Sequence, residues 1–133
     1  MIEGGCLCGA VRYSVDQPAL GEAVCHCRNC QRQSGSAFSV LVAVRLSAFK
    51  LTGTPALYED RADSGAQVNR YFCGACGSPI YTALPASPKL AFIKGGTLDN
   101  PSLLAPKTHV WCNSKWPWTA IAEGAVTIAK NPP

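Results

Sequence analysis

Eight cysteines in 133 residues, seven of them gathered into three short clusters, constrain this fold more than any other feature. The clusters are Cys6-Leu7-Cys8, Cys25-His26-Cys27-Arg28-Asn29-Cys30 and Cys73-Gly74-Ala75-Cys76, and Cys112 stands alone. Thiols this close in sequence make a poor disulfide scaffold and are well spaced to wrap an ion. The N-terminus, Met1-Ile2-Glu3-Gly4-Gly5, lacks the basic and apolar regions of a secretory signal. A cytoplasmic location is therefore expected, and in a reducing compartment clustered cysteines read as metal ligands.

Composition adds a frame for that metal. The chain is long enough for a single domain over 1–133 with its own core, and 47% hydrophobic against 15% charged residues is ordinary for a globular protein. Ten prolines and twelve glycines disfavour long helices and favour short strands joined by turns. No apolar run approaches the roughly 20 residues of a membrane span. The formal charge of +4 counts thiols as neutral; seven thiolates on two zinc ions bring it to about +1. With no Lys/Arg run and no aromatic stacking pattern, nucleic acid is not an expected partner.

Read in order, Val11, Tyr13 and Val15 alternate with Arg12 and Ser14, giving a strand after the first cysteine pair. One short helical turn closed by Gly35 is expected after Cys30. Phe38 to Leu46 is a buried strand, Phe49 to Leu51 leads to a turn at Gly53, and Leu57-Tyr58 begins another strand. Residues 60–66 form a hairpin loop, and Val68 to Phe72 delivers Cys73 at its end. Further strands are expected at Ile80 to Ala83, Leu90 to Ile93, His109 to Cys112 and Ala125 to Ile128, with fraying over Asn131 to Pro133. The expected fold is an all-β domain stapled by metal.

The cysteines partition in more than one way. In the preferred arrangement Cys6, Cys8, Cys73 and Cys76 close one structural site of four thiolates, and Cys25, Cys27 and Cys30 form a second. Three ligands leave one tetrahedral position vacant, which separates a catalytic from a structural zinc. The competing arrangement pairs Cys27 and Cys30 with Cys73 and Cys76 as a zinc ribbon, leaving Cys6, Cys8 and Cys25. Cys112 is read as a small buried hydrophobe, or else as a fourth ligand closing the second site. His26, between two ligands, should point away from the ion, and His109 is a candidate proton carrier at the site.

These motifs resemble one family. Gly5 to Tyr13, Cys25 to Cys30 followed by Ser34-Gly35, and Phe72 to Ile80 occur in the order seen in glutathione-dependent formaldehyde-activating enzymes, the centromere protein V family. Gly96 to Pro101 and the His109 to Trp116 segment are similar too. The resemblance implies a β-tent of two antiparallel sheets stapled by a four-cysteine zinc knuckle. It implies a structural zinc on Cys6, Cys8, Cys73 and Cys76, and a catalytic zinc on Cys25, Cys27 and Cys30. The implied activity is that of a carbon–sulfur lyase joining a thiol such as glutathione to formaldehyde or another small carbonyl compound.

Under that reading a thiol at the vacant position would lose its proton and be held beside the aldehyde. Cys25, Cys27, Cys30 and His109 are the candidate catalytic residues, and Arg28 and Arg32 could attract a carboxylate-bearing thiol. The partners are then a small-molecule thiol and an aldehyde, with homo-oligomerisation left open. The rival reading is a non-catalytic protein with two structural zincs and a partner-binding surface.

Overall fold

The computed structural model describes residues 1–131. Eleven strands form along the described chain: β1 (Ile2–Gly5), β2 (Arg12–Val15), β3 (Gly21–Cys25), β4 (Ser39–Arg45), β5 (Phe49–Thr52), β6 (Ala56–Arg61), β7 (Gln67–Phe72), β8 (Pro79–Ala83), β9 (Leu90–Lys94), β10 (Thr108–Val110) and β11 (Val126–Thr127). One α-helix, α1 (Arg28–Ser34), separates β3 from β4. The expected mainly β architecture of two sheets is what the chain forms. Strands β1, β2 and β5 make a small antiparallel sheet; the other eight join in the order β11-β10-β3-β4-β9-β8-β7-β6. That larger sheet is antiparallel except where β10 runs parallel to both β3 and β11. The parallel pairing with β3 is possible because the long chain between them has room to cross over.

The two-residue period of a strand assigns the faces of the large sheet. Val42 and Val44 of β4, with Ala91 and Ile93 of β9, are fully or almost fully buried against Tyr13 and Val15 of the small sheet. Phe49 and Tyr81 pack edge to face in this core, their ring centroids 4.8 Å apart. The intervening residues, Leu41 and Ala43 on β4 and Phe92 and Lys94 on β9, point to the opposite face and line a cavity. One face of the sheet builds the core and the other builds the site.

The helix after Cys27 is longer than one turn. Cys27 is its N-cap, its sulfur accepting from the Cys30 amide at 3.2 Å, and Gly35 closes it in the left-handed conformation at φ 65°. The C-terminal segment does not hang free up to Asn131, whose side chain accepts from Trp111 Nε1 at 2.7 Å. Pro132 and Pro133, where fraying was also expected, lie outside the described residues. No described helix is long and apolar enough to cross a membrane.

Candidate metal centres and the cavity between strands

The first cysteine cluster joins the two sheets. Cys6 and Cys8 sit on the turn between β1 and β2, and Cys73 and Cys76 on the turn between β7 and β8. Each turn needs one left-handed residue directly after its last cysteine, and each has glycine there: Gly9 at φ 81° and Gly77 at φ 80°. The four sulfurs lie within 4.8 Å of one another. Cys8 Sγ is 3.6 Å from Cys6 Sγ and 3.7 Å from Cys73 Sγ. A tetrahedral ion with metal–sulfur bonds of about 2.3 Å would set its sulfurs about 3.8 Å apart. These two separations match such an ion.

Two of the cluster's four thiols, Cys6 and Cys76, are lowered in pKa, and Cys8 is raised. The Val11 amide donates to Cys6 Sγ at 3.2 Å and lowers that thiol, and the Ser78 hydroxyl and backbone pull Cys76 down to about 5. Ser78 additionally accepts from the Leu7 amide at 3.1 Å, tying one turn to the other directly.

The second cluster comprises Cys25, at the end of β3, with Cys27 and Cys30 at the start of α1; their sulfurs also lie within 4.8 Å of one another. Among the described residues no fourth cysteine, histidine or carboxylate joins them. Cys112 stays away, its thiol donating to the His109 carbonyl at 3.4 Å in its own loop. The grouping matches the preferred partition and not the zinc-ribbon pairing, since Cys27 and Cys30 are not gathered with Cys73 and Cys76. In the bare cluster, hydrogen bonds to Cys27 and Cys30 push the Cys25 thiol up, while bonds from Cys25 and Cys27 pull Cys30 down to about 2. Three soft sulfur donors converging in this way suit a thiophilic cation.

All three cysteines line one wall of a cavity of about 440 Å³, formed on the outer face of the large sheet. Two buried cations share that wall. Lys94 is 6% exposed and donates from Nζ to Ser39 Oγ at 2.9 Å. Arg70 is 4% exposed and donates from Nε to Asp60 Oδ2 at 2.8 Å. Burial pulls the Lys94 ammonium down while the charge of Cys30 holds it up. Burial also works against Arg70, but its bond to Asp60 leaves it raised, and Asp60 is lowered in turn. With a divalent ion held there, three thiolates would leave one net negative charge, which Lys94 would offset, Arg70 being matched with Asp60. Neither Lys94 nor Arg70 was among the sequence candidates. The strand period places Lys94 with Phe92 on the face opposite Ile93, but only the pairing with β4 makes that the cavity face.

The histidines are elsewhere. His109 does not line the cavity: its neighbour Val110 does, so alternation along β10 turns the imidazole to the far face. There His109 Nδ1 lies 2.9 Å from Nε2 of the fully buried His26, with the rings stacked at 5.2 Å. Proton delivery by His109 into the cavity thus has no geometric support. Arg28 and Arg32 are exposed on α1 and do not line the cavity either.

Gln31 locks the second cluster in place. Only 3% exposed, it donates from Nε2 to the His26 carbonyl at 2.8 Å and to the Ser114 carbonyl at 2.9 Å. Its Oε1 accepts from Trp116 Nε1 at 2.8 Å and from Arg28. Asn29 performs a similar task one residue from Cys30, donating to Asp60 Oδ2 at 3.1 Å and to the Arg61 carbonyl at 3.0 Å. The helix carrying two of the three sulfurs is held from both sides.

Comparison with known proteins agrees in one direction. A family model described as "Glutathione-dependent formaldehyde-activating enzyme" matches residues 1–114. A curated protein of Halomonas elongata, named "Putative glutathione-dependent formaldehyde-activating enzyme", is 24% identical over 127 residues, covering 91% of this chain and 81% of the relative. An "Uncharacterized lyase" of Schizosaccharomyces pombe is 31% identical over 87 residues, covering 61% of this chain and 56% of that protein. A crystal structure of a Rhodobacter sphaeroides protein superposes with a TM-score of 0.60 at 21% identity, covering 95% of this chain and 98% of the other, and shares the fold.

Proposed function

The chain belongs to the glutathione-dependent formaldehyde-activating enzyme family, and from that premise we propose that it is a cytoplasmic, zinc-dependent carbon–sulfur lyase. It joins a thiol, glutathione or a similar compound, to formaldehyde or another small carbonyl compound, and reverses the step. The observation that carries this reading is the asymmetry of the clusters: four sulfurs surround the first, while the second offers three at the wall of a cavity.

In this reading Cys6, Cys8, Cys73 and Cys76 hold a structural zinc and Cys25, Cys27 and Cys30 hold a second. When bound there, the second ion supplies a vacant coordination position at which a thiol becomes acidic. The residues of the chain do the rest. Gln31 and Asn29 fix α1 so that the Cys27 and Cys30 sulfurs stay beside Cys25. Lys94 offsets the thiolate charge that burial would otherwise penalise, while Arg70 is matched by Asp60. The apolar strand residues exclude water, which strengthens those electrostatic interactions and protects the adduct. Chemically, the thiol sulfur bonds to the carbonyl carbon, the C=O π pair passes to oxygen, and the proton released by sulfur ends on that oxygen as a hydroxyl. Three thiolates donate too much charge to leave a strong Lewis acid, so thiol activation suits the cluster better than hydrolysis.

Exchange spectroscopy by NMR on formaldehyde mixed with glutathione, with and without the zinc-loaded protein, tests the reading. The expected result is faster exchange between free thiol and adduct, lost in Cys27→Ser with one zinc retained. Unchanged exchange, or full activity of that variant, would sink it.

A further inference from the structure

The walls beyond the sulfurs support an inference that rests on the lyase reading and goes past it. We propose that the carbonyl compound taken by this site is an aldehyde with a hydrocarbon body, bound with its oxygen toward Lys94 Nζ and its chain along the outer face of the large sheet. An antiparallel sheet with one face on the core ordinarily presents polar residues on the other. Here Leu41, Ala43, Val68, Leu84, Phe92 and Trp111 line that second face, around a cavity of about 440 Å³. This is the size and character of a site for a small organic molecule. Formaldehyde, little larger than a water molecule with its roughly 30 Å³ share of liquid, would leave most of it unfilled.

Lys94 and Arg70 share the cavity lining with the three cysteines; Glu22, Ser64, Thr82 and Asn131 are its other polar residues. Lys94 uses one of its three N–H donors on Ser39, leaving donors for an oxygen acceptor beside the sulfurs. Arg70 is already engaged by Asp60. Two carboxylates and an ammonium, as in glutathione, would find little to pair with along the apolar walls, so the thiol's arms belong at the mouth and the hydrocarbon belongs to the aldehyde. The wall is also built with some conformational effort. Trp111 sits at φ 57°, the one non-glycine residue with positive φ among those described, and its N–H donates to the Lys130 carbonyl at 3.0 Å. A bulky residue in that region is an outlier. The bonding step is the balanced addition given above: a C–S bond forms, the C=O π pair becomes an oxygen lone pair that takes the thiol's proton, and nothing is oxidised or reduced.

Binding and turnover test this separately on the zinc-loaded full chain. Acetamide, butanamide and hexanamide are unreactive mimics of the corresponding aldehydes, and calorimetry reads their affinity. Each methylene buried should tighten binding about fourfold, so hexanamide, with four more than acetamide, should bind up to about 250-fold tighter, and at least about tenfold tighter if only two of the four are buried. Leu84→Asp should abolish that difference. With glutathione as the common thiol, the acceleration over the uncatalysed addition should be larger for hexanal than for formaldehyde. Equal affinities across the amides overturn the proposal. So does acceleration of formaldehyde alone, which leaves the lyase reading standing. A preference for hexanethiol over glutathione, with formaldehyde as the common carbonyl, assigns the apolar body to the thiol and overturns it too. No acceleration with any aldehyde overturns the lyase reading and this proposal together, the amide series then reporting an apolar binding site only.

Discussion

Lys94 Nζ, on β9, donates to Ser39 Oγ of β4 at 2.9 Å, and Ser39 in turn stands opposite Cys25 of β3. A lysine so placed is costly in the bare protein and useful once three thiolates face it. Replacing Lys94 with Met should therefore act with opposite signs on the two forms. Metal-free protein should keep or gain thermal stability. In the loaded protein the second zinc should bind about tenfold more weakly, as loss of supporting interactions around a metal typically does, and the first should be unaffected. A competing-chelator titration resolves the two ions.

Gln31 offers a test of how the second cluster is held. Gln31→Ala would leave the buried carbonyl of His26 and the indole N–H of Trp116 without partners. The expected loss is about 2 kcal/mol or more, read as a lower denaturant midpoint. Zinc should leave the Cys25–Cys27–Cys30 cluster before the four-cysteine cluster.

The two clusters should differ in what they support. Cys6 and Cys73 belong to the core that joins the sheets, so a chelator strong enough to empty the four-cysteine cluster should unfold the domain. Cys27→Ser should leave circular dichroism and one bound zinc intact. Analysis of metal content beside unfolding curves checks both outcomes.

His109 contributes a pH dependence. Burial lowers its pKa in the folded chain from the ordinary value of about 6.5. As pH falls below that value, the unfolded chain takes up a proton that the folded chain refuses, so stability is full above about pH 6.5 and declines below it. His109→Gln, which keeps a neutral hydrogen-bonding partner for His26, should flatten the decline between about pH 7 and 5.5. Denaturant midpoints for the two proteins across that range check the sign.

The cysteine clusters were legible because their thiols arrive in local pairs and triples, and Gly9 and Gly77 follow where the two turns of the first cluster need them. Most strands were legible from alternation. What alternation cannot supply is which face of a strand looks inward, because that depends on register with neighbours distant in sequence. Lys94 ends an apolar strand and reads as its terminator; only the pairing of Leu41 with Lys94 and Ala43 with Phe92 sets it on the cavity face. His109 illustrates the converse. It was a candidate proton carrier at the site, but Val110, paired with Cys25, takes the inward position. Arg70 is hidden for the same reason, one charge in a polar-looking hairpin whose inner face is fixed by Thr82.

The claim that most needs direct testing is that the second metal can accept a thiol. Cobalt in place of zinc makes each site visible through its absorption spectrum. Titration with glutathione should shift the band of one cobalt, saturably, and Cys27→Ser should lose that band and its response. Spectra unchanged by saturating glutathione and by small apolar thiols would mean that both ions are closed and structural, contradicting the account.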